Sequence, residues 1–214
     1  MRMRKKPWAK DMIASRTDCV ISDPAEHAGK WAQFSKSGEV RVEIGSGKGD
    51  YWINMAHMYP EIAFIAVEKS IDCAAISLKK CLDDTTDNMK LIVDDAAKID
   101  EWFAENEIDV IHLNFSDPWP KKRTGKRRLT SSSFLDSYLN VLEDKGKLYF
   151  KTDNTGLFEY SLVSMDEKWK LEEVSLNFDS EANDDAISEY ERRFREEKVP
   201  IKRAVFSKRK QMVL

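Results

Sequence analysis

The sequence of 214 residues predicts an α/β fold, with a mainly parallel sheet and helices on both faces. Short apolar runs rich in β-branched residues alternate with segments in which apolar residues recur at helical spacing. This alternation runs from Val40 to residue 206 without an internal repeat or a low-complexity linker. Strands that alternate with helices usually pair in parallel and are covered on both faces, so the pattern indicates this class of sheet.

The first half of the chain contains three predicted strands, each followed by a helix. The run that begins at Val40 ends at Gly45, and the helical segment after it stops at Pro60. A continuous apolar run then ends in Glu68, which is typical of a buried strand. The predicted strands are 40–44, 62–67 and 91–93, and the predicted helices are 51–59, 71–82 and 98–105.

The second half continues the alternation. A fourth apolar run delivers Asp117 at its carboxyl end, and a helix with a serine cap and one apolar face begins at Ser131. The predicted strands in this half are 110–115, 147–152, 170–177 and 200–206, and the predicted helices are 131–142, 155–166 and 188–197.

Composition indicates a globular protein with one main domain. Apolar residues make up 42% of the chain and charged residues 34%, with a net charge of −3. Three cysteines without CxxC spacing give no metal pattern and favour a cytoplasmic location. The basic N-terminus has no apolar run after it, and no segment reaches the length of a membrane span. We expect a basic, irregular extension over 1–36, anchored by Trp8 and Trp31, and a single domain over 37–214.

Five candidate functional residues follow predicted strands directly. In open sheets of this class, ligands bind beyond the carboxyl ends of the strands. The residues therefore converge on one edge of the sheet, although none was selected for a function. They are Gly45, Glu68, Asp95, Asp117 and Asp153.

A glycine-rich turn between the first strand and the first helix is typical of a nucleotide-type cofactor site. Gly45-x-Gly47-x-Gly49 differs from the dinucleotide pattern, and the chain has no room for a second half-sheet. S-adenosylmethionine carries an amino group and a sulfonium but no phosphate, so carboxylates beside this loop favour it. Glu43 would orient the loop or the cofactor amine, or would simply pair with Lys48.

Further candidates for cofactor contact have structural alternatives. A carboxylate at Glu68 can accept hydrogen bonds from both ribose hydroxyls. Asp95 would accept from an adenine amino group or cap a helix. Asn114 would touch the cofactor or hydrogen-bond at the strand end, and His112 reads as a core residue rather than a catalyst.

The segment from Ser116 to Arg128 carries the most specific signal. Asp117-Pro118-Trp119-Pro120 is a rigid acidic turn, and six of the next eight residues are cationic. Guanine offers N1–H and N2–H₂ donors to a carboxylate, whereas its N7 is a bare acceptor. Methyl transfer to N7 then needs positioning and electrostatic support rather than a strong base. The cations would bind RNA phosphates, and Trp119 would stack on a base or plug the sheet end.

With these motifs assembled, the chain resembles the bacterial tRNA (guanine-N7-)-methyltransferase (TrmB) family over nearly its whole length. The run Pro118-Trp119-Pro120-Lys121-Lys122-Arg123 is highly specific to that family, whereas the glycine loop is shared by many methyltransferases. The resemblance implies a Rossmann-like class I S-adenosylmethionine-dependent methyltransferase fold with an antiparallel last strand. It also implies transfer of a methyl group to N7 of the guanine at tRNA position 46, in the variable loop.

The resemblance assigns roles to individual residues. Asp117 takes the catalytic place and also contacts S-adenosylmethionine. Thr124 stands where the family has His, and Ser188 replaces the usual Thr. The implied cofactor residues are Glu43, Gly45, Gly47, Glu68, Asp95, Ala96, Asn114 and Asp117; the implied guanosine residues are Lys121, Asp153, Ser188, Glu189, Tyr190 and Glu191; and the implied tRNA residues are Arg123, Thr124, Gly125, Lys126, Arg127 and Arg128.

Two other functions remain open at this point. A catalytically silent tRNA-binding module on the same fold would keep the basic segment without the chemistry. A methyltransferase acting on an exocyclic amine uses a related Asp-Pro-Pro-aromatic turn, but here Trp119 occupies the place of the second proline.

The expected partner is tRNA. No protein partner is required, and the chain would act as a monomer or a homodimer.

Overall fold

The computed structural model describes residues 4–179 and 184–209. Residues 1–3 and 210–214, at the ends of the two predicted domain ranges, lie outside the described residues. So do residues 180–183, within the acidic loop. The sheet contains β1 Val40–Ile44, β2 Ala63–Val67, β3 Met89–Ile92, β4 Ile108–Asn114, β5 Leu142–Thr152, β6 Trp169–Ser175 and β7 Lys202–Lys208.

The described strands form one seven-stranded sheet in the order β3-β2-β1-β4-β5-β7-β6. Neighbouring strands from β3 to β5 pair in parallel. β7 is inserted between β5 and β6 and runs antiparallel to both. The predicted mainly parallel sheet and its antiparallel last strand are therefore confirmed.

Helices cover both faces of the sheet. Successive residues of β2 belong alternately to two apolar clusters, with Ile65 in one and Phe64 in the other, so the two clusters lie on opposite faces. In the described residues no helix is both long enough and apolar enough to cross a bilayer. The helices are α1 Ala9–Ser15, α2 Asp50–Met58, α3 Ile71–Lys80, α4 Ile99–Trp102, α5 Ser132–Val141, α6 Thr155–Ser164 and α7 Glu189–Glu196.

The N-terminal segment is more ordered than an irregular extension. Helix α1 packs against α3, and Val20 forms a parallel bridge with Leu91. Trp31 is fully buried and donates from Nε1 to the Trp102 carbonyl at 2.7 Å, as expected of an anchor. Trp8 is half-buried beneath the Lys79 ammonium. Helix α1 is too short for apolar periodicity to reveal it, so its stability comes from packing.

Three other elements differ from their predicted bounds. The helix predicted at 98–105 contains only α4, preceded by a 3₁₀ turn at Ala96–Lys98. Strand β5 starts earlier than residue 147, because Leu142 pairs with Ile108 before the register shifts. The basic segment, residues 121–128, also contains a 3₁₀ helix at Lys122–Arg127, which its run of cations does not predict.

Candidate active site at the carboxyl ends of the parallel strands

The predicted residues converge at one edge of the sheet, because parallel strands bring their carboxyl ends to the same side. A pocket lies there between the glycine loop (residues 45–49), the ends of β1 and β4, and the start of α7. Asp117, Lys121 and Asp153 lie outside its lining. The predicted residues that line it are Glu43, Gly45, Gly47, Asn114, Ser188, Glu189 and Tyr190.

The glycine loop needs glycine for both its conformation and its packing. Gly47 has a φ of 58°, in the left-handed region that favours glycine. Gly49 has a φ of 81°, and a Cβ there would lie 2.5 Å from Cβ of Ser77. The start of α2 at Gly49 therefore lies closer to Ser77 of α3 than any residue with a Cβ would allow. The loop therefore exposes bare backbone toward the pocket.

Glu43 and Asn114 form a buried polar pair beside this loop. Asn114 Nδ2 donates to Glu43 Oε1 at 3.0 Å. Burial raises the pKa of Glu43 to about 7, although the Asn114 hydrogen bond opposes the shift. Glu43 Oε2, Asn114 Oδ1 and Ser46 Oγ are buried without a hydrogen-bond partner in the part of the chain described. Unpaired buried acceptors are costly, so these atoms fit a ligand that brings donors and positive charge.

The alternative pairing of Glu43 with Lys48 is not what the structure contains. Lys48 Nζ instead contacts Glu189 Oε1 at 2.7 Å and Oε2 at 3.0 Å, which connects the glycine loop to α7. The Glu43 carboxyl group therefore faces the pocket and is not paired with Lys48. Glu189, predicted to bind substrate, holds the wall of the pocket in place through this ion pair.

Glu68 and Asp95 extend the acidic edge along β2 and β3. Glu68 accepts hydrogen bonds from the backbone N–H of Gly47 and of Ser70, both at 2.7 Å. Burial raises the pKa of Glu68, and the negative charge of Asp117 adds to this effect. Asp95 caps the 3₁₀ turn through the Ala97 N–H and pairs with Lys69 at 2.7 Å. The capping alternative for Asp95 is therefore realised, and the buried Ala96 follows it.

The Asp117 loop (residues 115–120) has an unusual backbone. Phe115 and Trp119 have φ values of 50° and 39°, in the left-handed region that non-glycine residues rarely adopt. Asp117 lies between them with an exposed side chain, and no hydrogen bond or ion pair holds its carboxylate within the described residues. Left-handed residues of this kind cluster at functional sites, where surrounding structure maintains them.

The basic segment (residues 121–128) contains two kinds of cation. The side chains of Arg123 and Lys126 are exposed on the 3₁₀ helix. The Arg127 guanidinium lies 5.0 Å from the centre of the Trp119 ring. Arg128 donates to the carbonyls of Pro118 and Trp119, so its guanidinium is occupied within the protein.

The second side of the edge comes from β5, α6 and α7. Asp153 is half-buried just after β5, and its backbone carbonyl accepts from Lys202 at 3.1 Å. Ser188 caps α7 by accepting from the Glu191 N–H at 3.1 Å. Tyr190 is exposed beside the pocket. Ser188 and Tyr190 line the pocket and Asp153 follows β5 at the same edge, while the contacts of Ser188 and Asp153 described above are structural.

A buried ion cluster anchors this second side, and sequence reasoning did not identify its centre. Lys151 Nζ contacts Asp185 at 2.9 Å and Glu191 at 2.8 Å, and its side chain is only 3% exposed. The fully buried Glu191 also pairs with Arg195 at 2.7 Å. Its carboxylate is therefore committed to cations of the chain itself. We call Lys151, Asp185, Glu191 and Arg195 the Lys151 cluster.

The Lys151 cluster continues into the core through aromatic residues. The Tyr51 hydroxyl donates to Asp185 Oδ1 at 2.8 Å and lies 3.0 Å from His112 Nδ1. Burial would raise the pKa of Asp185, but the charge of Lys151 and these hydrogen bonds hold it below its usual value. Burial lowers the pKa of His112 to about 3, which keeps the ring neutral and agrees with its predicted core role.

Three comparisons place these features among known proteins. A family model described as "Putative methyltransferase" matches residues 37–204. A tRNA (guanine-N(7)-)-methyltransferase of Lactiplantibacillus plantarum is 43% identical over 91% of this chain and 92% of its own length. One of Bacillus velezensis is 42% identical over 95% of each chain. A solved antibiotic-related methyltransferase shares the fold, with a TM-score of 0.58 and 14% identity, covering 89% of this chain and 96% of that one.

Proposed function

This chain belongs to the tRNA (guanine-N(7)-)-methyltransferase family, and we propose that it transfers a methyl group from S-adenosylmethionine to N7 of the guanine at position 46 of tRNA. The observation that carries the proposal is the pocket beside the glycine loop, where Glu43 and Asn114 present unpaired buried acceptors. The Asp117 loop and the basic segment follow β4 along the same edge of the sheet.

The pocket residues would hold the methyl donor through its cationic and hydroxyl groups. S-adenosylmethionine supplies an electrophilic methyl group on a sulfonium when it is bound. Glu43 Oε2 and Asn114 Oδ1 would accept from the donor's ammonium, and Glu68 retains acceptor capacity for ribose hydroxyls. Gly45 and Gly47 leave room for close approach, and Asp95 and Ala96 would line the adenine end.

Asp117 would orient the guanine and offset the charge that develops on it. Methylation of N7 makes the purine cationic and removes no proton, so the reaction requires no general base. An exposed carboxylate on a rigid loop can accept from the guanine N1–H and N2–H₂ groups while its charge stabilises the product. Lys121, Asp153, Ser188, Glu189 and Tyr190 would surround the nucleoside. The contribution of Glu191 would be indirect, since its carboxylate anchors α7.

The exposed part of the basic segment would bind the tRNA backbone. Arg123 and Lys126 project from the 3₁₀ helix, and Thr124 and Gly125 lie between them. Cations that neutralise phosphates release counterions, so their contribution weakens as salt rises. The overall net charge of −3 does not oppose this role, because the cations are unevenly distributed along the chain and six of them lie within residues 121–128.

Removing one exposed cation should change the salt dependence of tRNA binding. For Lys126→Ala we expect weaker binding and a slope of log affinity against log salt that is smaller by about 1. Filter binding at several salt concentrations measures both quantities. Lys145→Ala is the matched control, because Lys145 is exposed near the amino end of β5, away from the carboxyl ends of the strands. Equal slopes for Lys126→Ala and the wild type would contradict the assignment.

Cofactor binding should depend on pH through Glu43. Only the ionised carboxylate attracts an ammonium, and burial raises the pKa of Glu43 to about 7. Affinity for S-adenosylmethionine should therefore be steady above that pH and fall by up to roughly tenfold per unit below it. Calorimetry between about pH 5.5 and 7.5 measures this. Glu43→Gln should bind weakly and lose the pH dependence; an unchanged pH profile in that variant would contradict the role.

Methyl transfer to defined transcripts tests the function itself. Labelled S-adenosylmethionine is incubated with an unmodified tRNA transcript and with the same transcript carrying another base at position 46. We expect incorporation only into the first. Incorporation into both would retain the activity but overturn the site. No incorporation by folded protein that still binds tRNA would favour the silent RNA-binding module.

A further inference from the structure

Arg128 differs from the other cations of the basic segment, because its guanidinium is used inside the protein. Nε donates to the Pro118 carbonyl at 2.9 Å, and Nη2 donates to the Trp119 carbonyl at 3.1 Å. We propose that Arg128 is a positioning residue that maintains the conformation of the Asp117 loop, rather than a residue that binds tRNA. The inference deepens the proposed function and rests on it, since it concerns the placement of the carboxylate that meets the guanine.

The Asp117 loop requires support from outside itself. Trp119 has a φ of 39° and precedes Pro120, and a residue before proline is restricted to extended conformations. Phe115 also lies in the left-handed region. Neither Pro118 nor Pro120 has a backbone N–H with which to form the hydrogen bonds of an ordinary turn. A strained segment of this kind keeps its shape only when neighbouring groups determine it.

The position of the Asp117 carboxylate depends on this backbone. The side chain is exposed and has no partner that fixes it among the described residues. The next residues along the loop, Pro118 and Trp119, are those whose carbonyls Arg128 binds. A planar guanidinium offers two donors in a fixed geometry, so one side chain can hold both carbonyls at once. Loss of these bonds would free the loop to move Asp117.

Arg128 is itself held by helix α6. Its guanidinium carbon lies 4.1 Å from the centre of the Tyr160 ring, which is close for a cation over an aromatic face. Helix α6 starts at Thr155, two residues after Asp153. Arg128 therefore connects the Asp117 loop to the element that follows Asp153, and both predicted sides of the guanine site share one support.

The same contacts argue against a main role in phosphate binding. One face of the Arg128 guanidinium is covered by Tyr160, and two of its nitrogens already donate within the chain. Arg123 lies in the same segment with an exposed side chain and is the natural comparison. The two roles predict different kinetics, because a phosphate contact affects tRNA affinity whereas a positioning contact affects turnover.

The test compares Arg128→Lys with Arg123→Ala. Lysine keeps the charge but lacks the planar guanidinium whose Nε and Nη2 reach the two carbonyls separately, so kcat for Arg128→Lys should fall by about 10- to 100-fold. The Kd for tRNA and its salt slope should stay at wild-type values. Arg123→Ala should instead raise the Kd for tRNA and reduce the salt slope by about 1. An Arg128→Lys enzyme with normal kcat and a raised Kd for tRNA would overturn the inference.

Two further measurements keep the inference testable if Arg128 variants are unstable or if the wild type does not methylate tRNA. Tyr160→Leu removes the ring beneath the guanidinium without touching the basic segment, and should lower kcat while leaving the Kd for tRNA unchanged. Amide hydrogen exchange over residues 115–122 should be faster in Arg128→Lys than in the wild type and unchanged in Arg123→Ala. Unchanged exchange in Arg128→Lys would overturn the positioning role, whereas an inactive wild type would overturn only the proposed function.

Discussion

Replacing Asp117 by asparagine is expected to reduce kcat by about 10²- to 10³-fold, the usual loss when one electrostatic contact to a transition state is removed. Asparagine keeps the size of the side chain and one acceptor oxygen but loses the negative charge. Alanine loses the acceptor as well, so turnover should decrease from Asp117 to Asn to Ala. Single-turnover methyl transfer with saturating tRNA and S-adenosylmethionine measures the chemical step directly.

Stability and tRNA affinity provide the controls for the Asp117 series. The Asp117 side chain is exposed and unpaired within the described residues, so its loss should leave the free energy of unfolding within about 0.5 kcal/mol. Asp136→Asn is a matched change, because Asp136 is exposed on α5 and, within the described part of the chain, pairs only with Lys168. Full turnover by a folded Asp117→Ala protein that binds both substrates would remove Asp117 from the mechanism.

Replacing Lys151 by methionine is expected to lower the free energy of unfolding by about 3–5 kcal/mol, the cost of leaving buried ion-pair partners uncompensated. Methionine has a similar length but carries no charge. Asp185 and Glu191 would then lose the cation that they share, and the completely buried Glu191 would keep its pair with Arg195. Chemical denaturation followed by circular dichroism measures the loss. Because these carboxylates anchor the start of α7, cofactor binding should weaken in the same variant.

An exposed ion pair separates this effect from the general loss of a lysine. Lys170 pairs with Glu172 at 2.9 Å on the edge strand β6, with its side chain 59% exposed. Lys170→Met should cost no more than about 1 kcal/mol, since exposed pairs contribute little. Adding Asp185→Asn and Glu191→Gln to Lys151→Met should restore part of the stability, because the uncompensated charges disappear. Similar small losses for Lys151→Met and Lys170→Met would contradict the importance of the cluster.

Much of the fold follows from local patterns that the sequence displays directly. The alternation of apolar runs and helical periodicity predicts the parallel sheet, and the polar residues that follow the runs predict the edge at which Glu68, Asp95 and Asp117 lie. These signals are local, because strand ends and glycine turns span only a few residues. Helix α1 was not predicted, because a helix of seven residues shows little periodicity and depends on packing against α3 for its stability.

The supporting contacts of the site could not be predicted in the same way. Lys151 meets Asp185 and Glu191, which lie 34 and 40 residues further along the chain, and no local spacing connects them. The only available signal was a lysine in an apolar strand that leads to the predicted edge. The sequence does not distinguish Arg123 from Arg128, because both lie in one basic run. In the structure Arg123 is exposed, whereas Arg128 donates to two backbone carbonyls.

The identity of the methylated atom tests the central claim most directly. After reaction with the wild-type enzyme, the tRNA is digested to nucleosides, and the product is identified by chromatography and mass spectrometry. We predict 7-methylguanosine, whose fixed positive charge distinguishes it from isomers methylated on an exocyclic amine. A product methylated on an exocyclic amine would contradict the role given to Asp117, because that reaction must remove a proton.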